Sequence, residues 1–310
     1  RIMRLKGRDL LSVSDLSRED IEEIFALAKN LKVDVMAGKK QSDYLKGKIV
    51  ALFFEKPSTR TRISFEVGVY QLGGYPLYLN AQDMQIKRGE TIADTARILE
   101  RYVDGIIARV YAHSTLEELA KYSYVPIING LSDLEHPCQI ICDYFTMRER
   151  KGDRKLKVVY LGDGNNVANS LILAGAILGM DVVCSSPREY YPDSEILKRA
   201  KEIAHKTGAK IEVVEDPKEA VKDADVLYTD VWISMGQEAE REKRLKVFPP
   251  YQLNNKLLSL AKEDVIVMHC LPAHRGEEIT DEVMDGPFSI VFDQAENRLH
   301  VQKAIVASLI

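Results

Sequence analysis

Between Phe54 and Arg62 the chain reads Phe-Glu-Lys-Pro-Ser-Thr-Arg-Thr-Arg, so that Ser58 to Arg62 carry three hydroxyls and two guanidinium groups in a row. An apolar run, Ile49 to Phe54, precedes this stretch, and apolar residues at helical spacing follow from Ile63 to Leu72, which predicts a strand-loop-helix junction. Pro57 and Ser58 fit a turn into an N-cap, with Thr59 to Thr61 as the first helical turn. Unpaired backbone N–H groups and the positive end of the helix dipole face outward there. Ringed by hydroxyls and guanidiniums, such a place holds a phosphate or a similar dianion. An ordinary capped helix with solvated arginines looks the same in isolation, so the company this stretch keeps decides its meaning.

Several other residues qualify as company. Arg109 ends a predicted strand, Val103 to Val110, where open α/β sheets present side chains to a ligand crevice; an arginine salt-bridged at the sheet edge is the competing reading. His136-Pro137-Cys138-Gln139 opens a helix reaching about Arg150, with the proline tolerated in the first turn. His136 and Gln139 are three apart and so address one ligand from the same helix end. Cys138 and Cys142 share a face and with His136 suggest a metal, but no second closely spaced ligand pair accompanies them, which favours packing. Asp230 is the one carboxylate from Asp230 to Gln237 and suits a substrate cation. Cys270, in His269-Cys270-Leu271-Pro272 at the end of the strand Val265 to Met268, is a candidate thiolate, against the commoner role of buried packing. Gly162-Asp163-Gly164-Asn165-Asn166 resembles a dinucleotide fingerprint. Val167 stands where a glycine or alanine is wanted, and the strand Asp181 to Cys184 runs into Ser185-Ser186 without the acid that holds a ribose, so no nicotinamide site is expected. Asn166 and Asn169 instead offer amides suited to an amino acid's polar head.

The elements that must position these residues alternate strand and helix along the chain. With 310 residues there is room for two domains of about 150 each. Strands are expected at Ile49 to Phe54, Pro76 to Leu79, Val103 to Val110, Val125 to Ile128, Leu156 to Leu161, Asp181 to Cys184, Lys210 to Val214, Val226 to Tyr228, Val265 to Met268 and Ser289 to Phe292. The fold class is therefore α/β, with two doubly wound parallel-sheet domains. Lys151-Gly152-Asp153-Arg154 reads as a linker, Glu238 to Lys246 as an exposed polar segment, and Gln294 to Ile310 as a final helix. A net charge of −4 with 29% charged residues gives no basic field for nucleic acid and no anchor for a membrane, which leaves small molecules as partners. No apolar run approaches the roughly 20 residues of a membrane span, and Arg1 to Asp9 lack a signal-peptide core, so a cytoplasmic protein is expected. The four cysteines, Cys138, Cys142, Cys184 and Cys270, are too scattered for a disulfide scaffold and should be reduced.

Taken together, Ser58-Thr59-Arg60-Thr61, Arg109, His136-Pro137-Cys138-Gln139, Asp230 to Gly236 and His269-Cys270-Leu271-Pro272 resemble, in order and over nearly the whole chain, the aspartate/ornithine carbamoyltransferases. The first motifs are common to that family. Asp-x-Trp-x-Ser-Met-Gly and His-Cys-Leu-Pro are similar to its ornithine-specific branch. The resemblance implies a carbamoyl-phosphate domain at 1–135, an ornithine domain at 136–293 and a terminal helix, 294–310, packing back on the first, with interdomain helices joining the two. It implies a homotrimer, or an assembly of trimers, with sites between subunits. Ser58, Thr59, Arg60 and Thr61 would hold the phosphate, and Arg109, His136 and Thr61 would face the carbonyl oxygen. Gln139, with the backbone around Cys270 and Leu271, would face the carbamoyl amide. Arg298 would reach carbamoyl phosphate from the terminal helix, and Gln85 would be lent to the neighbouring subunit's site. Asn166, Asp230, Ser234 and Met235 would contact ornithine, with the Ser234 to Gly236 loop closing over it. The implied reaction passes the carbamoyl group to the δ-amine of L-ornithine, giving L-citrulline and phosphate, in arginine biosynthesis or the catabolic direction. Arg109, His136, Cys270 and Asp230 would be catalytic, and no metal or cofactor is implied. Another amine acceptor, such as putrescine or an acylated ornithine, is the alternative, although Ser234-Met235-Gly236 fits a free amino acid head.

Overall fold

The computed structural model describes residues 4–310. The chain divides into two compact units, one running to Phe145 and resumed by Glu296–Ile310, the other Thr146–Ala295. The chain passes between them within two helices, Pro137–Lys151 and Val291–Leu309.

The first unit is built on four parallel strands, β1 (Ile49–Phe54), β2 (Tyr75–Asn80), β3 (Gly105–Arg109) and β4 (Ile127–Leu131), in the order β2-β1-β3-β4. The second has β5 (Lys157–Leu161), β6 (Asp181–Ser185), β7 (Ile211–Val213), β8 (Val226–Thr229) and β9 (Ile266–His269), in the order β7-β6-β5-β8-β9, again parallel throughout. Both are the doubly wound α/β sheets expected. Helices covering both faces bury the strands on both sides, which is why β1 (Ile-Val-Ala-Leu-Phe-Phe) and β5 (Lys-Val-Val-Tyr-Leu) are nearly continuous apolar runs rather than alternating ones. In each sheet the strand order reverses beside the first strand, between β1 and β3 and between β5 and β8. Loops diverge at such a point and open a crevice at the carboxyl ends of the strands.

One expectation fails. Ser289 to Phe292 is not a strand: Ser289 makes only an isolated bridge to Val267, and the helix Val291–Leu309 begins within the segment. Its short apolar run fits a buried helix entry as well as a strand, and periodicity cannot separate the two. Glu238 to Lys246 is exposed as expected except at the buried Arg244 and half-buried Leu245; Glu238–Glu240 form a 3-10 turn and Arg241–Val247 a helix. Among the described residues no helix is long and apolar enough to cross a membrane.

Candidate active site

In the first unit, β1 delivers the chain to Ser58, whose Oγ accepts the backbone N–H of Thr61 at 3.2 Å and so caps the helix Arg60–Gln71. Thr59 already has helical angles, which moves the capping role to Ser58 as the sequence suggests. Thr61 is buried, and its hydroxyl oxygen accepts from two guanidiniums, Nη1 of Arg109 and Nη2 of Arg298, each at 3.0 Å. Arg109 stands at the end of β3, across the switch point from β1. A register shift between β3 and β4 falls at Ala108 and Arg109, and an irregularity of this kind re-aims a side chain at a sheet end. Arg298 comes from the returning terminal helix and is held on three sides. Its Nη1 donates to Gln139 Oε1 at 2.5 Å and its Nε to Gln302 Oε1 at 2.6 Å, while Gln302 donates to Ser64 Oγ at 2.6 Å. Gln139 is further fixed by donating to Asp143 Oδ1 at 2.9 Å. Arg62, by contrast, lies 3.4 Å over the Tyr78 ring and pairs with Glu66, so the second guanidinium of the Ser58 to Arg62 stretch is spent on the surface of its own unit.

Burial first, and then a crowd of cations, set the protonation of this cluster. Burial, then Arg298, Arg109 and Lys56, hold the fully buried His136 well below the ordinary histidine range, so at neutral pH the ring is uncharged. Lys56 is pushed down to about 8, first by burial and then by Arg109, and its ammonium lies 5.1 Å from the Tyr111 ring centre. Lys56 is absent from the residues singled out in the sequence, although it sits inside the same Phe54 to Arg62 stretch.

In the second unit, the strands flanking the switch point supply Asn165 after β5 and Asp230 after β8. Asn165 Nδ2 donates to Asp230 Oδ2 at 2.8 Å, while its Oδ1 caps the helix Asn166–Leu178 by accepting from Val167 and Ala168. The Cys270 thiol, following β9, donates to Asp230 Oδ1 at 3.0 Å. Asp230 is thus addressed on one oxygen by an amide and on the other by a thiol. Leu271 holds a left-handed φ of 64°, and its N–H donates to His269 Nδ1 at 2.8 Å. With Nδ1 accepting, the His269 proton sits on Nε2 and is donated to Glu278 at 2.8 Å. Trp232 stacks on Phe248 at 5.8 Å, and Arg244 donates to the Trp232 carbonyl at 2.8 Å while pairing with Asp163 at 3.0 Å. Burial pushes Asp163 up to about 6 against the pull of Arg244. These contacts fix the chain to Ile233. Beyond it Met235 and Gly236 are exposed, and the turn is closed by Ser234 N–H donating to Gln237 Oε1 at 2.9 Å.

The fingerprint-like turn after β5 is used by the chain itself. Gly164 N–H donates to the Tyr190 carbonyl at 2.8 Å, and a Cβ at Gly164 would lie 2.3 Å from Pro192 N. The close approach that a dinucleotide's pyrophosphate needs is taken by Tyr190 to Pro192. Of the amides singled out in the sequence, Asn166 sits half-buried at the helix start, whereas Asn169 is buried and accepts from the Asp193 N–H at 3.2 Å. Asn165, not singled out, is the one on Asp230. Gln85 is exposed on the 3-10 turn Gln85–Arg88.

Residues 8–149 match the model of the aspartate/ornithine carbamoyltransferase carbamoyl-P binding domain, and residues 154–309 that of the aspartate/ornithine carbamoyltransferase Asp/Orn binding domain. The chain is 59% identical to an ornithine carbamoyltransferase of Thermococcus kodakarensis, over 99% of this chain and 97% of that one. Among solved structures, the ornithine carbamoyltransferase from Pyrococcus furiosus is 58% identical with a TM-score of 0.95, covering 98% of this chain and 97% of its own. The enzyme of the same name from Gloeobacter violaceus is 46% identical with a TM-score of 0.87, covering 98% and 99%. Sequence, domain order and fold agree along the whole length: the chain belongs to the aspartate/ornithine carbamoyltransferase family.

Proposed function

We propose that the chain transfers the carbamoyl group of carbamoyl phosphate to the δ-amine of L-ornithine, yielding L-citrulline and phosphate. The observation that carries this reading is the meeting of Arg109 and Arg298 on the hydroxyl of Thr61, beside a capped helix start and an uncharged His136. In the reading, residues 1–135 with the helix 294–310 bind carbamoyl phosphate, and residues 136–293 bind ornithine. Ser58, Thr59, Arg60 and Thr61 take the phosphate; Arg109, His136 and Thr61 donate to the carbonyl oxygen. The δ-nitrogen adds to the carbonyl carbon, a tetrahedral oxyanion forms, and the bond to the phosphate oxygen then breaks. Each well-placed donor on that oxyanion contributes about 3 to 4 kcal/mol of transition-state stabilisation. A neutral histidine donates without adding a charge that would trap the product phosphate.

The δ-amine has an intrinsic pKa near that of lysine, about 10.4, and must lose a proton before it attacks. Asp230, with Asn165 and the Cys270 thiol, receives ornithine's α-ammonium group. The δ-ammonium gives its first proton to solvent before attack. The second, shed by the nitrogen once it is bonded to carbon, leaves on the departing phosphate. Asn166, Ser234 and Met235 complete the ornithine contacts, and Gln139 faces the carbamoyl amide with Leu271. The same reading carries a homotrimer or an assembly of trimers, in which the exposed Gln85 serves the adjoining subunit, and a cytoplasmic location. Sedimentation at a multiple of the trimer mass is the expected result. Product formation is to be measured from carbamoyl phosphate with ornithine, putrescine, aspartate and acetylornithine in parallel. Activity with ornithine alone is expected. Activity with a different acceptor would overturn the assignment of Asp230 to Gly236, and none with any acceptor would overturn the reaction itself.

A further inference from the structure

The turn that follows β9 gathers three ligand-type side chains away from the Asp230 cluster. One ligand atom each of His274, Glu277 and Glu278 lies within 4.8 Å of the others. Glu278 is fully buried, and only one of its oxygens is used: Oε1 accepts from His269 Nε2 at 2.8 Å and from the His274 backbone N–H at 2.7 Å. Its Oε2 has no hydrogen-bond partner. Leaving a buried polar atom unsatisfied costs about 1 to 3 kcal/mol, and more for a charged group, so such an atom in a folded chain calls for an explanation. Glu277 is also half engaged. Its Oε1 takes the Arg241 guanidinium at 2.5 Å, while its Oε2 lies 3.3 Å from His274 Nδ1 without a hydrogen bond to it. His274 is exposed, which gives an ion a way in.

We infer that His274, Glu277 and Glu278 form a binding site for a divalent cation of the zinc, cobalt or manganese kind. One imidazole nitrogen and two carboxylate oxygens suit those ions; calcium wants six to eight oxygens, and copper(I) wants sulfur. The outer contacts are already in place, because His269 orients Glu278 and Arg241 orients Glu277. Arg241 also offsets one of the two negative charges, so the affinity is moderate rather than tight. The other group of potential ligands among the described residues, Asp230, His269 and Cys270, is less suited, because both ring nitrogens of His269 are engaged by Leu271 and Glu278.

The test uses the full chain carrying Cys270→Ser, which removes the one thiol from that competing group. Equilibrium dialysis against Co2+, followed by absorption, should give one ion per chain with ligand-field bands and no thiolate charge transfer. Adding His274→Ala, which truncates an exposed ring, or the isosteric Glu277→Gln, should weaken binding by about tenfold or more. Circular dichroism of the metal-free variants should match the parent. No Co2+ bound by the Cys270→Ser chain would overturn the site, as would an affinity unchanged by both further substitutions.

Discussion

The two units set one backbone plan to opposite electrostatic uses. Each is a parallel sheet whose strand order reverses beside its first strand, and each brings functional groups to the carboxyl edge of the strands on either side of that reversal. In the first unit the groups are cationic, Arg109, Lys56 and Arg298; Arg109 and Arg298 meet on Thr61, and Gln139 and Gln302 hold Arg298. In the second the central group is a carboxylate, Asp230, with an amide and a thiol upon it, and the neighbouring turn leaves Met235 and Gly236 exposed. The contrast teaches that chemistry resides in the residues placed at the strand ends and not in the fold that places them. Under the function proposed above, a dianion would meet groups already hydrogen-bonded to one another, and an amino acid would meet a carboxylate beside an exposed turn.

That contrast can be broken most severely at its base in the second unit. Arg244→Met leaves Asp163 buried without its cation and frees the Trp232 carbonyl, so urea unfolding should show a loss of about 3 to 5 kcal/mol, with a raised KM for ornithine. Arg109→Ala should leave stability nearly intact but lower kcat by about 10²- to 10³-fold, with little change in the KM for ornithine. An equal rise in both substrates' KM would argue against its place on the carbonyl oxygen.

Protonation sharpens the comparison further. His136 stays neutral in the folded chain while the unfolded chain takes up its proton below about 6.5. Its contribution to stability is therefore complete above pH 6.5 and is lost as the pH falls, at up to about 1.4 kcal/mol per pH unit. His136→Asn should flatten that slope in denaturation curves between pH 5 and 7, leaving the share of His300, which burial also lowers. Lys56 loses its charge as the pH rises through about 8, so the KM for carbamoyl phosphate should climb about fivefold on the alkaline side, the difference of about 1 kcal/mol between charged and neutral donors. Lys56→Met should abolish that limb and leave the pH dependence of ornithine binding unaltered.

Much of this was legible from the residues. Apolar runs such as Ile49 to Phe54 announce strands buried on both faces, and the hydroxyl-rich turn after it announces a helix start. Ser289 to Phe292 was misread because four apolar or small residues carry no period of their own. Arg244 was hidden in a charged stretch, since one buried arginine among Glu238 to Lys246 has no composition to mark it; only the carboxylate waiting at Asp163 reveals it. Asn165 and Asn166 are adjacent, and propensity cannot say which of the two caps the helix and which turns toward a strand end. Lys56 was passed over because a lysine beside a turn is ordinarily solvated, and the burial that depresses it comes from elements distant in sequence. The approach of Arg298 to Thr61 follows from no local pattern; the family resemblance pointed only to a role for Arg298 toward carbamoyl phosphate.

The hydrogen bond between Thr61 and Arg298 joins residues 237 positions apart, and the whole of the second unit lies within the loop it closes. During synthesis from the N-terminus, the second unit emerges as one uninterrupted stretch and can complete its sheet while the first still lacks its returning helix. Contacts of such long sequence separation form late, because the entropy of closing the loop must be overcome before the contact rewards it. The cluster on the Thr61 hydroxyl can therefore close only after Arg298 has been made, 237 positions after Thr61 itself.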